Sequence, residues 1–221
     1  MKSILSFGAA ALLLVLHQAV SAQASCSSEG QPAPTGLLER FISADCEACW
    51  TDAHAALPRP GAAALDWIMP GAAGDDAPLS AAARQDGLDR LQAMGRAMAP
   101  TLPLPTPSLP LRVARGPALG GYIGTSIALQ TIPGTAYGPL TAWLALVETI
   151  PAGSDGTAVE RNLVRNTLVL DWSAAGDHAE IRPLSIPAGA QAARLQVIGW
   201  LEDANARVLA VAQSVCAPAD D

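Results

Sequence analysis

The chain has 221 residues, with 13 lysine and arginine against 20 aspartate and glutamate side chains and a formal charge of −7. An acidic balance with no basic stretch excludes the electrostatic footprint of a nucleic-acid binder. Half of the residues are hydrophobic and only 15% are charged, and the length allows one large or two small domains with a real core.

Met1-Lys2-Ser3 carries one positive charge, Ile4 to Leu16 is almost wholly apolar, and Val20-Ser21-Ala22 or Ala22-Gln23-Ala24 offers a small-residue cleavage site. This is the layout of a secretory signal peptide over residues 1–22. Its apolar run falls short of the roughly 20 residues that a spanning helix requires. The expectation is a periplasmic or secreted protein, free of the membrane once the leader is removed. Such a compartment favours disulfides, and the chain has four cysteines, Cys26, Cys46, Cys49 and Cys216. The economical pairing is Cys46–Cys49 and Cys26–Cys216. The second would close nearly the whole chain, and loop-closure reasoning gives it about 4–5 kcal/mol.

Ser25 to Thr35 is polar and rich in proline and glycine, a tether into the fold. Leu37 to Ser43 has the length and apolar content of a buried strand. Cys46 and Cys49 follow, then a short helical stretch from Trp50 to Leu57 that Pro58 and Pro60 end. Ala63 to Pro70 reads as a second strand, and Gly71 to Pro78 as a loop with a solvated Asp75-Asp76 pair. Ser80 is placed to cap a helix running to about Met98. In it Leu88, Leu91, Met94 and Met98 form the apolar stripe, while Arg84, Asp86, Asp89, Arg90 and Arg96 take the polar side.

Pro100 to Pro110 is too proline-rich for regular structure, and Leu111 to Arg115 alternates as a strand does. Strand-like runs then recur at Tyr122–Gln130, Leu140–Ile150, Leu163–Trp172, Glu180–Ile186, Arg194–Leu201 and Arg207–Val215, with a hairpin loop at Glu202 to Ala206. Short strands at this spacing indicate an antiparallel β-sandwich-like unit. The expected organisation is therefore α+β: a region over 34–116 that carries the cysteine pair, and a β-sandwich-like region over 117–221.

Chemistry concentrates at Cys46-Glu47-Ala48-Cys49. A sulfur at the start of a helix lies near unpaired backbone N–H groups, which stabilise a thiolate. In thiol–disulfide exchange Cys46 would attack a protein disulfide and Cys49 would resolve the mixed disulfide. The competing reading is an inert local disulfide in a secreted binding or structural protein. A metal would find Cys46, Cys49 and His54, short of a four-ligand site. Trp50 occupies the position where haem attachment needs histidine. Gly124-Thr125-Ser126-Ile127-Ala128 lacks the strand–turn–helix context of a nucleophile elbow, the glycines at 116, 120, 121 and 124 do not follow dinucleotide spacing, and His178 reads as a loop histidine. No cofactor is implied.

The stretch LERFISADCEAC, Leu38 to Cys49, resembles the segment ELFTSQGCSSCPPAD of an uncharacterised family of secreted bacterial thioredoxin-like proteins. Thr106-Pro107-Ser108 with Leu109 to Gly116 is similar to that family's Thr-Pro, strand and glycine; Glu160 to Asn166 and Leu195 to Gln213 resemble its Asn/Arg segment and closing hairpin. Trp50 and Thr51 stand where the family has prolines, and Cys26 and Cys216 are additional. The resemblance implies a thioredoxin-like fold for the N-terminal region, a redox role for Cys46 and Cys49 with protein thiols and disulfides as partners, and a cis-proline facing the dithiol. Pro107 is the candidate for that proline, with Pro103 and Pro105 as rivals.

Overall fold

The computed structural model describes residues 25–95, 102–103, 109–130, 137–174 and 178–216. The expected signal peptide and the candidate cis-proline Pro107 lie outside the described residues. In chain order the elements are β1 (Cys26–Ser27), β2 (Gly36–Ser43), helix α1 (Glu47–Thr51), β3 (Ala63–Met69), helix α2 (Gln85–Ala93), β4 (Leu102–Pro103), β5 (Leu111–Leu119) and β6 (Tyr122–Leu129). Then follow β7 (Leu140–Ile150), β8 (Arg161–Trp172), β9 (Ala179–Ser185), β10 (Leu195–Glu202), β11 (Val208–Gln213) and β12 (Val215–Cys216).

Two sheets result. One has seven strands in the order β11-β10-β7-β8-β3-β2-β4, the other five in the order β12-β1-β5-β6-β9. The pattern of each strand follows from what covers it. β6 alternates, with Ile123, Thr125, Ile127 and Leu129 buried and the residues between them more open, because one face of the five-stranded sheet meets the core and the other meets solvent. β10 is buried almost throughout, because the seven-stranded sheet is covered on both faces. Val113, Ile123, Ile127, Leu146, Val197 and Leu201 share the core between the sheets. Leu65, Trp67, Val147, Ile198 and Trp200 form a core on the opposite face of the larger sheet. The β5–β6 hairpin turns on Gly120 and Gly121, both at positive φ, as a two-residue turn demands.

The expectation of an α+β chain, with a thioredoxin-like N-terminal region followed by a β-sandwich-like one, is overturned. The chain is mostly β, with 47% strand and only two helices among the described residues. These have five and nine residues, too little for the helical layers of that fold. β2 and β3 do pair in parallel around α1. However, β3 also pairs with β8 at Asp66 and Leu163, so strands from both halves of the chain share one sheet. β5 in turn sits in the other sheet beside β6. The apolar side chains of β2 and β3 join those of the later strands of the same sheet, Leu65 and Trp67 beside Val147, Ile198 and Trp200, and the two short helices cover only part of them, at Trp50 and at Gly87.

The helix expected from Ser80 begins later and is turned differently, and its expected end, with Arg96 and Met98, lies outside the described residues. Ser80–Ala82 is a 3₁₀ turn, and α2 begins at Gln85. Its buried residues are Gly87 and Arg90, while Leu88 and Leu91 are half-buried. Gly87 lies against Trp67 so closely that a Cβ there would stand 3.3 Å from Trp67 Cβ. A bulky apolar stripe does not fit that approach; a glycine and a paired arginine do.

Candidate functional site

β2 delivers the cysteine pair. The N–H of Ala44, fully buried, donates to Met69 O at the end of β3, and the Asp45 carboxylate accepts from the N–H groups of Ala72 and Ala73. Gly71 has no room for a side chain, since a Cβ would lie 2.3 Å from that carboxylate. The chain then enters α1 with Cys46 as the capping residue, and Cys49 N–H donates to Cys46 Sγ at 3.2 Å.

Cys46 and Cys49 are joined in a disulfide. Cys46 is half-buried and Cys49 exposed. A second disulfide joins Cys26 in β1 to Cys216 in β12, neighbouring strands of the smaller sheet, across 190 positions of sequence. Both bridges expected from the spacing are present. With both Cys46 and Cys49 in one bond, neither sulfur is a thiolate ligand beside the exposed His54. Pro107, the third expected site residue, lies outside the described residues.

Beneath the dithiol segment is a buried ion cluster. Asp66 in β3 is fully buried. Its carboxylate accepts from Arg40 Nη2 at 2.7 Å, from Arg161 Nη1 at 3.1 Å and from the N–H of Asn162 at 2.8 Å. Two guanidinium groups face one carboxylate, and the excess positive charge is spread over main-chain carbonyls. Arg40 donates to Ala56 O and Glu160 O; Arg161 Nη2 donates to Cys49 O at 3.2 Å and Trp50 O at 3.0 Å, with Thr157 Oγ1 taking its Nε. The Arg161 guanidinium also lies 5.4 Å from the Trp50 ring. Trp50 itself is buried and donates from its indole to Asp155 O. The C-terminal end of α1 is in this way bolted to the core of the larger sheet.

A second buried cluster sits on the other face of β2. Arg90 is held between Glu39 and Glu202, with nitrogen–oxygen distances of 2.6–3.0 Å. Here carboxylate is in excess, and three indole N–H groups compensate. Trp67 donates to Glu39, while Trp143 and Trp200 donate to Glu202. The guanidinium also stands 4.9 Å from the Trp143 ring. Burial would lower the Arg90 pKa, but the hydrogen bonds and charges of Glu39 and Glu202 outweigh it and raise the pKa well above the usual arginine range.

Beside Cys49, a cavity of about 370 Å³ opens between β2 and the loop after α1. Leu38, Phe41, Ile42, Ala55 and Ala56 give it a mostly apolar lining, with Glu39, Arg40, Asp52 and Arg161 as its charged residues. Trp50 and Trp67 are core residues and do not line it. Sequence reasoning missed Arg40, Asp66 and Arg161. For Arg40 and Asp66 the signal was charge inside two otherwise apolar strand runs, one residue in ALDWIM and two, Glu39 and Arg40, in LLERFI.

No protein-family model matches this chain, and no curated protein matches it. Among solved structures it is similar to protein AGR_C_4864 from Agrobacterium tumefaciens, with 14% identity, a TM-score of 0.43, and 86% of this chain and 97% of that one covered. It is also similar to a domain of the outer membrane lipoprotein Omp28 from Porphyromonas gingivalis, with 12% identity, a TM-score of 0.35 and coverage of 51% and 90%. A third likeness is to an endonuclease/exonuclease/phosphatase from Beutenbergia cavernae, with 13% identity, a TM-score of 0.30 and coverage of 49% and 24%. Scores this low do not establish a shared fold.

Proposed function

We propose that this is an exported, non-catalytic protein with a binding or structural role, in which Cys46–Cys49 is a structural disulfide. The carrying observation is the grip of Arg161 on both Cys49 O and Trp50 O while it is itself paired with the fully buried Asp66. The grip ties the main chain at and just after the second cysteine to the buried ion cluster, as a structural staple requires, while Cys46 stays half-buried and Cys49 exposed. Around the sulfurs, Glu47 adds a negative charge, and α1 is only five residues long, so its dipole contributes little to a thiolate. Two disulfides and the apolar leader in the sequence support an extracytoplasmic location.

Thiol–disulfide exchange keeps one observation in its favour, the exposure of Cys49 beside an open cavity. The reduction potential of Cys46–Cys49 separates the two readings. A structural bridge equilibrates below about −300 mV against a glutathione or dithiothreitol couple, and a value near −200 mV would replace the structural reading with exchange.

A further inference from the structure

We propose that a small uncharged thiol opens the Cys46–Cys49 bond at Cys49, with Cys46 as the leaving group. The usual order of a Cys-x-x-Cys pair has the first cysteine attacked, but here the exposures run the other way. Cys49 is exposed and lines the 370 Å³ cavity, while Cys46 is half-buried and does not line it.

The departing sulfur is also provided for. An incoming thiolate forms a bond to Cys49 Sγ, the Cys46–Cys49 bond breaks, and its electron pair leaves on Cys46 Sγ. The Cys49 N–H already points at that atom from 3.2 Å and becomes a charge-assisted donor once it is a thiolate. Attack at Cys46 would leave the thiolate on Cys49, for which no such donor is seen among the described hydrogen bonds.

The cavity selects the thiol. Its size suits a small molecule, and its lining is mostly apolar, with Phe41, Ile42, Ala55 and Ala56. The hydrogen-bond donors of its two guanidinium groups are taken by Asp66 and main-chain carbonyls, so they present no free fork to an anion. Two carboxylates, Glu39 and Asp52, line the cavity itself, and Glu47 is exposed nearby, in a chain of net charge −7. Cys46 then attacks the mixed disulfide and recloses the bridge, or a second thiol completes the reduction. The closed staple is the resting state on this account, which adds where it opens.

The test is made on the full chain with 2-mercaptoethanol, with acid quenching and alkylation at short times. Fragment ions that break between Glu47 and Ala48 distinguish the two sulfurs. The expected result is a mercaptoethanol adduct on Cys49 in at least tenfold excess over Cys46, and several-fold slower reaction with the anionic 2-mercaptoethanesulfonate. Adducts in equal amounts, an adduct on Cys46, or no adduct on either sulfur would overturn the route. Equal rates for the two thiols would overturn the selection for an uncharged one. None of these outcomes bears on the reduction potential, which judges the staple separately.

Discussion

Glu39 and Arg40 are neighbours in β2, and they serve two separate buried ion clusters on opposite faces of the sheet. Successive strand residues point to opposite sides, so Glu39 reaches Arg90 on α2, and Arg40 reaches Asp66 below the cysteine pair. One cluster holds two carboxylates and one guanidinium, the other two guanidinium groups and one carboxylate. Each disperses its excess charge on neutral dipoles of the right sign, indole N–H groups in the first and main-chain carbonyls in the second. Both helices are fastened to the sheet by these clusters rather than by broad apolar faces.

The fastening of α2 is therefore sensitive to Arg90. Arg90→Met leaves Glu39 and Glu202 buried without a cation, and the loss is about 3–5 kcal/mol of unfolding free energy. Adding Glu202→Gln removes one uncompensated charge and recovers part of it. Urea unfolding at neutral pH measures both. Tryptophan emission shifts to the red in Arg90→Met, since Trp143 and Trp200 lie against the guanidinium.

Arg161 plays the matching part for α1. Arg161→Met leaves Asp66 with Arg40 and the Asn162 N–H, so the cost sits near the lower end of the range for a broken buried pair, about 3 kcal/mol. Arg161→Lys recovers little, because one ammonium cannot span Asp66, Thr157 and two carbonyls at once. Amide hydrogen exchange around Cys49 and Trp50 is expected to accelerate in both variants. Unchanged protection there would show that the segment is held by something other than Arg161.

Much of the β-structure was legible in the sequence. The runs at 122–130, 140–150 and 163–172 lie close to β6, β7 and β8, because alternation and turn residues are local signals. The disulfide pairing was legible from spacing alone. Sheet membership was not, since nothing in Ala63 to Met69 says that β8 will be its neighbour. The orientation of α2 was hidden for a different reason. Periodicity assigns Arg90 to the polar side and Leu88 and Leu91 to the core, and it cannot foresee that Glu39 and Glu202 make an arginine the better buried residue. The same blindness to paired charge hid Asp66 and Arg161, the residues on which the reading of the dithiol turned.

The two sheets approach each other closely at Gly199. A Cβ there would stand 2.6 Å from Val113 Cγ1 and 3.1 Å from Ile127 Cδ1, both from the five-stranded sheet, and 3.3 Å from Trp143 O within its own. Gly199→Ala forces the sheets apart or the side chains off their rotamers, at about 1–3 kcal/mol. A fall in Tm of roughly 2–4 °C per kcal/mol follows for a chain of this size. Val113→Ala in the same chain relieves the closest contact, so the double variant loses less than the sum of the singles.

Acid weakens a third attachment, between α2 and β8. The Asp86 carboxylate accepts from the Thr167 hydroxyl and from Arg84 Nη2 at 2.7 Å, and Arg84 also donates to Arg165 O. Burial alone would raise the Asp86 pKa, but the Thr167 hydrogen bond and the Arg84 hydrogen bond and charge outweigh it and hold the carboxyl below its ordinary value. With the folded pKa depressed, the stabilisation is fully present above the unfolded value of about 3.9 and is lost as the pH falls through the folded one. Asp86→Asn removes the charge but keeps an acceptor for Thr167. Since the pair is only partly buried, the variant is expected to be less stable than the parent by at most about 1 kcal/mol between roughly pH 5 and 8. That gap should close as the pH drops below about 4. Urea midpoints of the two proteins measured from neutral pH down to acid follow this directly, and a gap that persists unchanged in acid would assign the attachment to hydrogen-bond geometry instead of charge.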